Sequence, residues 1–147
     1  MVVDERRRTS HPDVFAAGAV TNHRHPVLGQ RVRVEHWQNA ARQGRGAGLA
    51  MMCHGGPYDD IPWFWSEQYD HRIEYTGFHR DWDRIAIPGS LESRSFTAFY
   101  LKEGRVQAVA ALDRAHDVKA SVPLITSGHR PDVAALVDES TDLRSLA

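Results

Sequence analysis

Pro62-Trp63-Phe64-Trp65-Ser66-Glu67-Gln68 places three consecutive aromatic residues between a proline and a polar run. As a strand, it turns Trp63 and Trp65 to one face and Phe64 to the other. Two indoles on one face can fill a core, wall a flat aromatic ligand or anchor a partner. The sequence stays β-like beyond it. Arg72-Ile73-Glu74-Tyr75-Thr76 alternates polar and apolar residues, as a half-buried strand does. Further strands are expected near 84–88, 96–102 and 106–112, the last two joined through the glycine turn Lys102-Glu103-Gly104-Arg105. Two helices are expected to follow. One spans 114–125 with Pro123 disturbing its last turn, and one spans 131–137 with Pro131 in its first turn.

Upstream, Asp13-Val14-Phe15-Ala16-Ala17-Gly18 reads as a short buried strand ending on glycine, followed by a loop over 21–30. A helix is expected from about Glu35 to His54, stopped by Gly55-Gly56-Pro57. Ala40, Gly44 and Gly48 recur every fourth residue and form a smooth face, suited to packing on a sheet or to a cofactor lying alongside. The predicted class is α+β: a strand-loop-helix, then a five-stranded antiparallel sheet, then two helices. The boundary falls near Gly55–Ile61, dividing residues 1–54 from 62–147.

Composition narrows the function classes. A 147-residue chain with 41% hydrophobic and 25% charged residues can bury a core without staples. A net charge of −1 makes no electrostatic case for nucleic acid or an anionic membrane. No apolar run is long enough for a membrane span, and no signal-peptide pattern opens the chain. The single cysteine, Cys53, excludes an intrachain disulfide, is compatible with a cytoplasmic setting, and is expected to be inert packing. Nine histidines carry no metal-binding spacing; His23 and His25 sit in a proline-bounded loop. The carboxylate pairs Asp59/Asp60, Glu67/Asp70 and Asp81/Asp83 are expected at the surface. Gly44-Arg45-Gly46-Ala47-Gly48 follows no strand and makes a weak phosphate loop, and no GxGxxG, P-loop or GxSxG is present.

Three segments in register say more. Thr9-Ser10-His11-Pro12-Asp13-Val14-Phe15-Ala16-Ala17-Gly18, Arg33-Val34-Glu35-His36-Trp37-Gln38-Asn39-Ala40 and Pro62-Trp63-Phe64-Trp65-Ser66-Glu67-Gln68-Tyr69 occur in this order. Together with the ending Leu136-Val137-Asp138-Glu139-Ser140-Thr141-Asp142-Leu143, they resemble the C-terminal part of the FAD-dependent, NAD(P)H-using ferredoxin reductases of the putidaredoxin reductase type. The likeness extends over essentially the whole chain.

The resemblance implies the roles that follow. The first segment matches the last strand of the FAD domain, making 1–54 a remnant of that domain and 62–147 the reductase C-terminal domain. Family members read Gly-Asp there, and the aspartate accepts a flavin-side hydroxyl. Here Gly18 is followed by Ala19, a loss of about 1–3 kcal/mol if that partner is buried. The helix opened by Glu35, His36 and Trp37 matches the one whose positive N-terminus faces the flavin carbonyl, with the Trp37 backbone N–H as donor. Trp65 matches the aromatic residue close to the flavin ring. Both dinucleotide-binding fingerprints of a complete member are missing from these 147 residues. Three functions are therefore expected to compete. One is the C-terminal portion of an oxidoreductase passing electrons from NAD(P)H through FAD to a ferredoxin, not catalytic alone. Another is half of a split reductase active with a nucleotide-binding partner chain. The third is a non-enzymatic ligand-binding module or homodimer built on the aromatic strand.

Overall fold

The computed structural model describes residues 1–147, which divide into two compact units, Met1–Pro62 and Trp63–Ala147. The first unit carries a small sheet of β1 (Val2–Val3), β2 (Asn22–Arg24) and β3 (Arg31–Val32) and one helix, α1 (Trp37–Met51). β1 runs parallel to β2, and β3 antiparallel to it. The expected strand over Asp13–Gly18 does not form. That segment makes a single bridge, Phe15 to Arg8, and its backbone bonds to neighbouring turns instead: Thr9 N–H to Val14 O at 2.9 Å and Ala16 N–H to Arg7 O at 3.0 Å. Pro12 and exposed Val14 offer no second ladder partner and little burial to hold it extended. A strand forms instead over Asn22–Arg24, inside the expected loop.

α1 is shorter than the 35–54 span expected, because His36 caps it in an extended conformation and Met52 leaves helical geometry. Asn39, Gln43, Ala47 and Ala50 make its buried face. The Ala40/Gly44/Gly48 face does not receive a sheet: a Cβ at Gly44 or Gly48 would meet nothing within 4 Å. Cys53 is not packed; it lies exposed just past the helix.

The second unit is an antiparallel sheet: β4 (Trp63–Gln68), β5 (His71–Gly77), β6 (Arg84–Ala86), β7 (Gly89–Ser90), β8 (Ser95–Lys102) and β9 (Arg105–Leu112). The five expected strands form one path, β4-β5-β9-β8-β6, and the two-residue β7 pairs with β8 outside that path. The β8–β9 hairpin closes through Glu103 and Gly104, both in the left-handed region. Gly77 fixes the β5–β9 contact: a Cβ there would lie 2.4 Å from the Gln107 carbonyl oxygen, at φ +89°. The core is apolar, with Phe99, Leu101, Val106, Val109, Val118, Leu124 and Leu136 all at most 2% exposed.

The expected 114–125 helix is two helices, α2 (Ala115–Ala120) and α3 (Val122–Ser127). They divide at Ser121, whose hydroxyl donates to the Asp117 carbonyl at 2.6 Å, and Pro123 suits the first turn of α3 rather than an interior. α4 (Val133–Val137) is capped by the Asp132 side chain. A 3₁₀ turn over Leu143–Leu146 ends the chain. No helix is long and apolar enough to cross a membrane.

Candidate functional site

The first unit holds Gly18, Ala19, Glu35, His36 and Trp37. Gly18 is buried at φ +83°, and a Cβ there would press to 3.1 Å from Ala40 Cβ, one turn inside α1. Its N–H donates to Gln43 Oε1 at 2.9 Å. Gly18 is thereby pinned to the helix that starts at Trp37, while Ala19 stands exposed beside it without a polar group. The helix start is electropositive: the His36 side chain does not cap it and its first turn contains no acid. Glu35 points its charge at Arg33, 2.8 Å away, at the surface. The His36 and Trp37 rings lie 6.0 Å apart, and Trp37 is 63% exposed.

Behind this start lies a buried polar network. Gln43, fully buried, accepts from Gly18 N–H and from the Thr21 hydroxyl, both at 2.9 Å. With its oxygen so used, its amide nitrogen faces His23 Nδ1 at 3.2 Å and Asn39 Oδ1 at 3.3 Å. His23 therefore accepts at Nδ1 and carries its proton on Nε2, which finds no partner. Protonating Nδ1 would set N–H against N–H; burial, then the nearby His25, Arg7 and Arg31, hold the His23 pKa down to about 4. Tyr58 donates its hydroxyl to Asn39 Oδ1 at 3.2 Å, and burial pushes that phenol up to about 12. His25 accepts from Leu28 N–H at Nδ1 and donates from Nε2 to the Asp60 carbonyl at 3.0 Å.

Trp65 belongs to the second unit. It stacks on Trp63 with ring centres 5.0 Å apart and planes 28° from parallel. The cross-strand register puts Trp63, Trp65 and Glu67 of β4 on one face with Thr76, Glu74 and Arg72 of β5. The Arg72 guanidinium lies 5.6 Å from the Trp65 ring centre and pairs with Glu67 at 3.1 Å and Glu74 at 2.8 Å. Glu74, only 2% exposed, also accepts from Trp63 Nε1–H at 3.0 Å. A buried carboxylate and one arginine thus fix both indoles, which are half-buried rather than core. Thr97 shares this face through Ala111 of β9, and its hydroxyl donates to Asp117 of α2 at 2.7 Å, so the helices cover the same side. The opposite face carries Phe64 stacked on Tyr75 at 5.2 Å, and His79 stacked on Tyr100 at 4.2 Å.

The residue types alone did not disclose Gln43, Glu74 or Arg72. Gln43 reads as an ordinary helix former. For the other two a signal was present: the Arg72-Ile73-Glu74 alternation puts both charges on one face of β5.

A family described as "Reductase C-terminal" matches residues 63–147. The chain is 39% identical over 145 residues to the 5,5'-dehydrodivanillate O-demethylase ferredoxin reductase subunit of Sphingobium sp., covering 98% of this chain and 35% of that protein. The ferredoxin reductase for the CYP199A2 system from Rhodopseudomonas palustris superposes with a TM-score of 0.88 at 31% identity, over 100% of this chain and 37% of that one. The covalent putidaredoxin reductase–putidaredoxin complex gives a TM-score of 0.88 at 34% identity, over 99% and 35%. The chain spans about a third of the length of the relatives it matches. With its α+β fold, paired indoles and matched sheet-and-helix unit, the chain belongs to the reductase C-terminal family of the ferredoxin reductases.

Proposed function

We propose that this chain forms the flavin-covering third of a reductase that carries electrons from NAD(P)H through FAD to a ferredoxin. The observation that carries the proposal is likeness along the whole chain: ferredoxin reductases match both units, not the sheet domain alone. The local chemistry fits FAD. The start of α1, which carries no acid in its first turn, offers partial positive charge to an anionic ring edge. Gly18, held by Gln43, sets the backbone where a cofactor hydroxyl is bound, and Trp65, braced by Trp63 and Arg72, presents a rigid aromatic surface. FAD, when bound, takes up a hydride's two electrons and releases them singly. The chain's own part is to orient the ring, cover it against water and present a face to the ferredoxin.

Ala19 is the exception, since it supplies no acceptor for a cofactor hydroxyl. The pyrophosphate-binding turns are supplied by sequence other than these 147 residues, on the same polypeptide or on a partner chain. The absorbance spectrum of the purified 147-residue chain tests this division. No stoichiometric flavin band and no NADH oxidation are expected; a yellow monomer that oxidises NADH unaided would refute it.

A further inference from the structure

A cleft lies in the first unit, lined in part by the later turns of α1. It measures about 460 Å³ and is walled by Arg7, Gly46, Gly56 and Tyr58, with Arg42 and Arg45 among its lining. Its size is that of a small-molecule pocket. Arg7 is only 2% exposed. Its guanidinium donates to the carbonyls of Gly46 at 3.0 Å and Gly56 at 3.3 Å and lies 5.7 Å from the Tyr58 ring centre. It pairs with no carboxylate, and its Nε–H is buried without any partner. A buried cation left without a counter-ion is costly and uncommon. Burial lowers its pKa accordingly.

The helix is cut to receive this side chain. A Cβ at Gly46 would sit 2.8 Å from Arg7 Cζ and 2.9 Å from Nη1. Glycine in mid-helix costs up to about 1 kcal/mol against alanine, and here it makes room for a guanidinium that no carboxylate contacts, Asp4 acting on it only from a distance. Around the cleft, Arg42 is 3.4 Å from Asp60 and Asp59 stands exposed, so three arginines and two carboxylates line it, while Asp4 outside the lining acts on Arg7 without contacting it. His25 ties the Asp60 backbone to the core.

We propose that this cleft binds a phosphoryl dianion, either inorganic phosphate or the phosphate of a small monoester, seated on Arg7 with Arg42 and Arg45 near it. Guanidinium forks match phosphate oxygens, and a dianion answers more than one arginine where a single carboxylate answers one.

Thermal unfolding of the full chain with inorganic phosphate, ribose 5-phosphate or acetate, at constant ionic strength, tests the assignment. Phosphate at about ten times its Kd is expected to raise Tm by roughly 3–5 °C. A larger rise with ribose 5-phosphate would mark a monoester as the ligand, and an equal one would mark free phosphate. Arg7→Met is expected to abolish the rise, and Gly46→Ala, which displaces only the far end of Arg7, to reduce it at least tenfold in affinity with the fold retained. No rise in the wild-type chain, an equal rise with acetate, or a rise undiminished in Gly46→Ala would overturn the proposal, whether or not Arg7→Met folds.

Discussion

The helix of the first unit buries Asn39 and Gln43, and its neighbours bury Arg7, Thr21, His23 and His25; the central strands of the second bury Phe99, Leu101, Val106 and Val109. The first unit adds a buried polar network to a small apolar core of Val3, Val32, Ala47 and Ala50, whereas the second is dominated by close packing of apolar surface. The two kinds of core fail differently. Polar groups that lose a partner cost their desolvation, while packed backbones fail when volume is added.

The largest effect is expected where packing is tightest. Gly77→Ala sets a Cβ against the Gln107 carbonyl and forces φ +89° on a residue that resists it. A loss of about 4 kcal/mol is expected in urea unfolding. A loss below about 1 kcal/mol would mean that the β5–β9 contact yields easily, and the contrast between the units would weaken. Next comes the polar core. Gln43→Ala strands the Gly18 N–H and His23 Nδ1, while the Thr21 hydroxyl keeps the Gly18 carbonyl at 2.8 Å, an expected cost of about 2–3 kcal/mol. A neutral result would show that water replaces the amide and that the network is incidental.

Acid should separate the units as well. The folded His23 pKa is about 4, below the ordinary value of 6.5. Between those values the unfolded chain holds the proton and the folded chain does not. Stability is therefore complete above about pH 6.5 and falls as pH drops toward 4, by about 2–3 kcal/mol from this group. The buried, neutral His25 adds a loss of the same sign. His23→Asn should flatten most of that slope in pH-dependent unfolding; an unchanged slope would place the acid sensitivity elsewhere.

The same contrast explains what was legible in the sequence. Alternation along 72–76 and the Glu103-Gly104 turn disclose the second sheet, because apolar residues repeat with the period of a strand. The first unit hides from that method. Many of its buried residues, among them Arg7, His23, His25 and Gln43, are of types that ordinarily lie at the surface, so by residue type β2 reads as loop and Asp13–Gly18 as strand. The division at Ser121 is half visible in Pro123, which suits the first turn of a helix better than the last turn of one over 114–125. The site residues became visible through family likeness. Residue types offered Trp63 and Trp65 as a surface but not the Glu74–Arg72 brace beneath them.

The proposed function rests on likeness along the whole chain, with the electropositive helix start and the braced Trp65 serving a flavin. Ala19→Asp restores the missing acceptor and is expected to tighten FAD binding about tenfold in a flavin-bound form of the protein. The most direct test exchanges this chain for the matching third of the Sphingobium ferredoxin reductase subunit and measures flavin content and NADH-dependent ferredoxin reduction. A flavin-loaded hybrid that reduces ferredoxin, and that slows when Trp65 becomes alanine, is expected. A hybrid that folds yet holds no flavin, or one indifferent to Trp65, would contradict the account.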